Sequence, residues 1–538
     1  MTRTTRWMTL AALAMVALTA PGTASAFCGF YIDTGGAKLT NDATQVVLMR
    51  KGTRTVLSMQ NNYKGPAEEF AMVVPVPTVL QEADVKTLPR DVFARVEAMG
   101  APRLVEYWEQ DPCAPLYERE ERFAGRARSG MKMSEAMDDG ADKDLGVTIE
   151  AKFVVGEYQI LILSAKDSTG LDTWLRRERY QIPPGAEPLL RPYVEAGMKF
   201  FVAKVDPKKV TFDADHRASL SPLRFHYDAD EFALPIRLGT ANSSGKQDLI
   251  VSILAPDQRY ELANYKNVTI PTNLDVRDPV RGDFASFYAA LFDRTLERNP
   301  GAIITEYAWQ ATTCDPCPGP QLGGHDFKLL GSDVLEGPAG KPMAYGGYDF
   351  VLTRLHARYG KDLKDDLVFK AASAIVGGRE FLQDNGKLEE RSRPDATNNF
   401  QARYIIRHWW TGKIACASPR RGIWGGPPGR SIARPMAATG LAFARRGTIA
   451  LPRLVVKNIP EIGVRAYRPK PKPRPRAVPA APPGPVLEAP DPTTRSPSTA
   501  IDGGCQTGGS PDGLAALAVG LVALITRRRT RRAARRPR

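Results

Sequence analysis

The chain has 538 residues, a formal net charge of +15 and six cysteines. That length gives room for a large core and roughly two to four domains. Of the excess charge, +2 lies in residues 1–26, +4 in 465–504 and +7 in 505–538, so residues 27–464 keep +2. Global basicity therefore gives no support for a nucleic-acid-binding body, which needs clustered Lys and Arg.

In chain order, Arg3 and Arg6, the apolar run Trp7 to Thr19 and the small residues Ala24-Ser25-Ala26 form a signal peptide, residues 1–26, cleaved between Ala26 and Phe27. Phe27 stands where a lipobox requires Gly or Ala, which argues against a lipoprotein anchor at Cys28. Export implies an oxidising compartment where disulfides persist. Cys28, Cys113, Cys314, Cys317 and Cys416 are the disulfide candidates, an odd set whose connectivity is not derivable.

Residues 27–118 read as a β-rich N-terminal part of the ectodomain. Runs 44–49 and 54–60 flank Lys51-Gly52-Thr53, which suits a tight hairpin turn. Phe70 to Pro75 resumes the strand pattern, with Pro75 and Pro77 demoting it to an edge or ending it. Val92, Phe93, Val96 and Met99 fall at helical spacing, and Asp91 is the expected cap. Residues 119–146 are charged and poor in aromatics, the composition of a solvated, disordered loop.

Residues 147–464 read as the α+β remainder of the ectodomain. Tyr158–Ser164 is a predicted buried strand, followed by a helix capped by Asp167 or Ser168, a second helix from Glu187 to Ala196, and a strand from Lys199 to Val205. Further strands are expected at 234–238, 248–254 and 265–270, a helix at 284–297, and an apolar strand at 303–309 leading into Cys314-Asp315-Pro316-Cys317. Residues 349–356 and 402–409 alternate apolar and polar residues as half-buried strands do. Eleven prolines in residues 465–500 make 465–504 a Pro-rich stalk in polyproline II, or a Pro-rich ligand for a partner domain.

The last segment, 505–538, joins Cys505, the uncharged run Leu514 to Ile525 and eight arginines. Twelve helical residues cover roughly 18 Å of a bilayer core about 30 Å thick, a marginal membrane segment locked on the cytoplasmic side by positive charge. This layout resembles the three-part C-terminal sorting signal of myxobacterial surface proteins. The resemblance implies a sorting protease acting near Cys505, lipid on that cysteine, and delivery to the outer face of the outer membrane. A permanent single-span anchor is the alternative, and a nucleic-acid-binding arginine arm would need no apolar run before it.

The chemistry-bearing motifs are weak. The Cys314/Cys317 spacing with an intervening proline is shared with redox thiols, yet Pro318-Gly319-Pro320 follows where a thioredoxin needs a helix, so a structural disulfide is the leading reading. A zinc set combining this pair with His325 and either Cys416 or His408 lacks the paired short spacings of zinc sites, and the five histidines share no metal-type spacing. Asp362, Asp365 and Asp366 read as a solvated face, the paired glycines as turns, and Asn267-Val268-Thr269 as a chance glycan acceptor. No serine-hydrolase elbow, zinc-protease motif or phosphate loop is present in the sequence.

The stretches Phe27-Cys28-Gly29-Phe30-Tyr31, Arg54–Asn62, Phe70–Pro77, Ala101–Tyr107 with Gln110–Cys113, Leu220–Phe225, and Glu306–Trp309 before Cys314–Cys317 resemble the bacterial domain of unknown function 2330. The resemblance spans most of residues 27–415, brings no activity and fits secretion with envelope attachment. The expectation is an α+β protein with mixed, largely antiparallel sheets and packed helices, then the Pro-rich stalk and short C-terminal transmembrane segment. Its expected role is a surface-displayed binding or structural protein without cofactor or metal, its protein or glycan ligand unspecified. An extracytoplasmic thiol-disulfide enzyme using Cys314 and Cys317 is the alternative, and an envelope hydrolase the second alternative.

Overall fold

The computed structural model describes residues 30–468 apart from 33–39, 65–70, 115–145, 213–217, 336–349, 381–387, 428–434 and a few isolated positions. The expected signal peptide, the expected charged loop up to residue 145, the expected stalk beyond 468 and the expected sorting tail lie outside the described residues, and with them Ala26, Phe27, Cys28, Cys505, Leu514 and Ile525. Among the described residues no helix is long and apolar enough to cross a membrane.

The principal elements run β1 (Thr40–Lys51), β2 (Arg54–Lys64), β3 (Ala71–Val76), α1 (Asp91–Gly100), β4 (Arg103–Glu109), β5 (Val147–Val155) and β6 (Tyr158–Ala165). Then follow α2 (Ser168–Arg177), α3 (Glu187–Glu195), β7 (Lys199–Val205), β8 (Leu223–Asp228), β9 (Gln247–Pro256), α4 (Phe284–Arg298), β10 (Ala302–Gln310), β11 (Phe350–Tyr359) and β12 (Arg403–His408). Gly52 turns the β1–β2 hairpin at a φ of +56°, a conformation that costs glycine little and a side chain more.

The largest sheet runs β10–β11–β9–β1–β2–β8, with short strands beyond both ends. The β9–β1 pair is parallel and its neighbours are antiparallel. A second, antiparallel sheet runs β3–β7–β6–β5. The two sheets share an apolar layer that includes Val46, Leu57, Met72, Ile160, Phe201 and Phe225. Helices α2 and α3 cover the outer face of the second sheet through Leu171, Trp174, Leu190 and Tyr193. On the far side of the large sheet, α1 packs Val92, Phe93 and Val96 against Val47 and Leu352, and α4 packs Phe287 and Leu291 in a cluster with Ile304 and Ala308. The order of layers is helix, sheet, sheet, helix, so the large sheet is buried on both faces. A third, smaller sheet pairs β4 with β12 in parallel.

This is the expected α+β class with mixed sheets, corrected at several elements. β11 and the first two-thirds of β12 are buried on both faces rather than one, because helices cover what alternation assigned to water. β3 is no edge strand, since Phe30–Ile32 pairs with Ala71–Val73 on one side and β7 lies on the other, but it does end at Val76, before Pro77. The strand expected at 234–238 ends at Leu234, since Pro235 has no amide to give and a 3-10 turn spans Arg237–Asn242. Arg90 takes the cap position of α1, and Asp91 instead pairs with Arg95 one turn on at 2.5 Å. Asp366 is no solvated face: it accepts from Tyr193 Oη and the Ile236 amide, both at 2.7 Å, and pairs with Arg237. Asn267 is spent inside the fold, its side chain bonded to both the amide and the carbonyl of Leu262.

Candidate functional site

Among the described residues, a chain of buried ionisable groups lies under the large sheet, between it and helices α1 and α4. The β10–β11 register shifts between Thr305 and Tyr307, leaving Glu306 as the extra residue of a bulge. Bulges re-aim side chains, and the Glu306 carboxylate is fully buried, 2.6 Å from Arg354 Nε, 2.6 Å from His356 Nδ1 and 2.7 Å from Tyr288 Oη. Glu97 on α1 holds the other side of Arg354 at 2.8 Å and accepts from Gln45. Asp248 on β9 meets His356 Nε2 at 3.0 Å and Arg446 at 2.9 Å, and also binds Arg358. Asp293 on α4 completes the chain through Arg446 at a less buried rim.

Burial opposes the charge of Glu306, yet His356, Arg354 and the Tyr288 hydroxyl outweigh it and hold its pKa down to about 2. Burial likewise opposes a charged His356, and the Glu306 and Asp248 carboxylates on its two nitrogens win, raising its pKa. Asp248 is lowered: burial is overcome by His356, Arg446 and Arg358. Burial raises Asp293. Glu97, Glu306, Asp248 and Asp293 thus face Arg354, His356, Arg358 and Arg446, and their signs alternate along the chain. A general base must reach a substrate proton with a free nitrogen. His356 is 1% exposed and gives both nitrogens to carboxylates, so this network ties sheet to helices and offers no catalytic group.

Cys314 and Cys317 form a disulfide in a turn at the end of β10. The turn is held from below: Arg103 Nη1 donates to the Pro316 carbonyl at 2.9 Å, and Gln401 Nε2 donates to the Asp315 carbonyl. Arg103 is itself fully buried, bonded to the Met99 carbonyl at 2.6 Å with the Tyr307 ring 5.4 Å away. The next helical turn, Gly324–Phe327, is four residues long and begins well after Cys317. Among the described residues, then, the chain that follows the pair starts no helix at either cysteine, the usual device for stabilising the thiolate of a reactive C-x-x-C pair.

A second disulfide joins Cys113, just beyond β4, to Cys416, beyond β12, across a sequence separation of 303. That bond takes Cys416 out of any zinc set with His325. His408 is occupied as well, 2.8 Å from Glu106 and stacked on Trp108 with ring centroids 4.5 Å apart. Among the described residues no cluster of three or more His, Cys, Asp or Glu is arranged to hold a metal ion.

Two clefts open nearby. One of about 430 Å³ is lined by Arg259, Asn267, Thr269, Asn299 and Ser392, and one of about 540 Å³ by Asp293, Arg294, Glu297, Leu451 and Pro452. Neither is lined by a histidine, so neither assembles the His, Asp and Ser of a hydrolase.

Sequence reasoning did not find Glu97, Asp248, Glu306 or Arg354. The available signal was a lone carboxylate inside the apolar run 303–309, which a buried strand tolerates only with a partner. A family model described as an uncharacterized protein conserved in bacteria matches residues 22–370. The match takes in the turn at Cys314 and the buried network except Arg446, and ends before Cys416. No curated protein and no solved structure matches.

Proposed function

The chain belongs to the DUF2330 family of uncharacterized bacterial proteins, and from that premise we propose a secreted cell-envelope protein with a binding or structural role. The observation that carries the reading is the Cys113–Cys416 bond, which links distant parts of the chain and persists only where thiols are kept oxidised. The N-terminal signal, residues 1–26, supplies the export, with the ectodomain following as 27–118 and 147–464 around the charged loop 119–146. The stalk 465–504 links the body to the tail, and a sorting protease processes the tail 505–538 near Cys505, leaving the protein on the outer-membrane surface. The charge-balanced, closed network around Glu306 supports a scaffold over an enzyme.

Peptide mapping of the protein from fractionated cells, without reductant, tests this. We expect an N-terminus at Phe27, linked peptides Cys113/Cys416 and Cys314/Cys317, and loss of residues after about 505. A full-length, reduced chain in the cytosol would overturn the reading. Repeating the mapping after graded mild reduction tests the thiol-enzyme alternative: a Cys314–Cys317 bond opened ahead of Cys113–Cys416 would favour redox work.

A further inference from the structure

We propose that the loop from Trp409 to Trp424 is a membrane-docking surface that lies on an anionic lipid bilayer. Among the described residues, Trp409 (59% exposed), Ile414 (40%) and Ile423 (39%) are large apolar side chains left in solvent within this one stretch. Their exposure is built in. The Cys113–Cys416 bond pins the loop at its middle, and the Glu109 carboxylate, itself without exposed surface, pins both ends. Glu109 accepts from the Trp410 amide at 3.0 Å and the Gly422 amide at 2.8 Å, and meets Arg421 at 2.9 Å. Trp409 packs edge-on against Trp424 at 4.9 Å, with the Arg421 guanidinium 6.0 Å from its ring.

The charge carried on the loop itself is positive. Several cations close to the loop in sequence are used inside the fold: Arg403 is buried, Arg407 pairs with Asp275, and Arg446 pairs with Asp248 and Asp293. The loop itself carries Lys413, Arg420 and Arg421 and no carboxylate. Of the acids beside it, Glu109 is consumed as described, Glu106 pairs with Arg281 and His408, and Asp111 caps the Cys113 amide. Indole rings favour the headgroup region, aliphatic tips enter the acyl boundary, and flanking cations are drawn to anionic lipid. Aliphatic Ile414 and Ile423 offer no stacking face for a base, which separates this surface from a single-strand platform. The inference rests on the envelope reading only in that an exported protein meets such a surface.

Hydrogen exchange of the full chain tests it, with vesicles of phosphatidylcholine alone and of phosphatidylcholine mixed with phosphatidylglycerol. We expect amides of residues 411–419 to exchange about tenfold more slowly on the anionic vesicles and unchanged on the neutral ones. The triple variant Trp409→Ser, Ile414→Ser, Ile423→Ser should lose that protection, and Lys413→Glu with Arg420→Glu should weaken it most at low salt. An intact Cys113/Cys416 peptide in each variant shows that the loop has kept its tether. Vesicle binding that leaves the 411–419 amides unprotected, or equal protection on both lipids, would overturn the proposal. So would protection by a soluble anionic polysaccharide but not by vesicles. Export mapping does not bear on this result, so the two readings fail separately.

Discussion

Glu306 serves three partners from a fully buried site, and losing its charge would strand Arg354 and His356. Breaking a buried pair by removing one partner costs about 3–5 kcal/mol, the loss expected for Glu306→Gln in urea unfolding. The pH dependence has a definite sign. Glu306, lowered from 4.5 to about 2, contributes stability that is complete above about 4.5 and is lost as pH falls towards 2. His356, raised from 6.5, contributes stability that is complete below 6.5 and is lost as pH rises through its elevated value. The network therefore stabilises most between about 4.5 and 6.5, and urea midpoints measured across pH should peak there. Glu306→Gln should flatten the acid limb, and an unchanged limb would show that other carboxylates dominate it. None of this was legible beforehand, because the partners come from α1, α4 and three strands that only the tertiary fold brings together.

Helix α2 was readable from sequence because its start is local chemistry. Asp167 has extended backbone geometry and accepts from the Gly170 amide at 2.6 Å, while Leu171, Trp174 and Leu175 turn inward. Asp167→Ala should cost about 1 kcal/mol, measured as a lower urea midpoint, and Asp167→Asn should restore most of it. Asp91 looked equivalent and was not, since a carboxylate at the first helical position serves a cation one turn on as readily as an amide. The hairpin β1–β2 and helix α4 were legible for the same reason as α2, each set by near neighbours. Strands β11 and β12 were misjudged because alternation records which side chains are polar and not what faces them. Arg354 and His356 look solvated in the sequence and point into a salt-bridged interior.

For the molecule as a whole, the α+β class was legible and the stacking of layers was not. The strands at the middle of the large sheet, β1, β9 and β11, lie far apart in the chain, and no turn signal joins them. The Cys113–Cys416 bond closes most of that span, whereas Cys314–Cys317 closes three residues. Replacing Cys113 and Cys416 by serine should therefore cost about 2–5 kcal/mol, and the Cys314/Cys317 pair less; thermal unfolding of both double variants would rank them. The sheet order also bears on biogenesis. A chain that emerges from its N-terminus presents the 40–64 ribbon with an open edge until residues 249–254 have followed to pair alongside it. Until then the ribbon is a template for any neighbouring copy, so the topology itself calls for a chaperone or a translocation pore to keep nascent molecules apart.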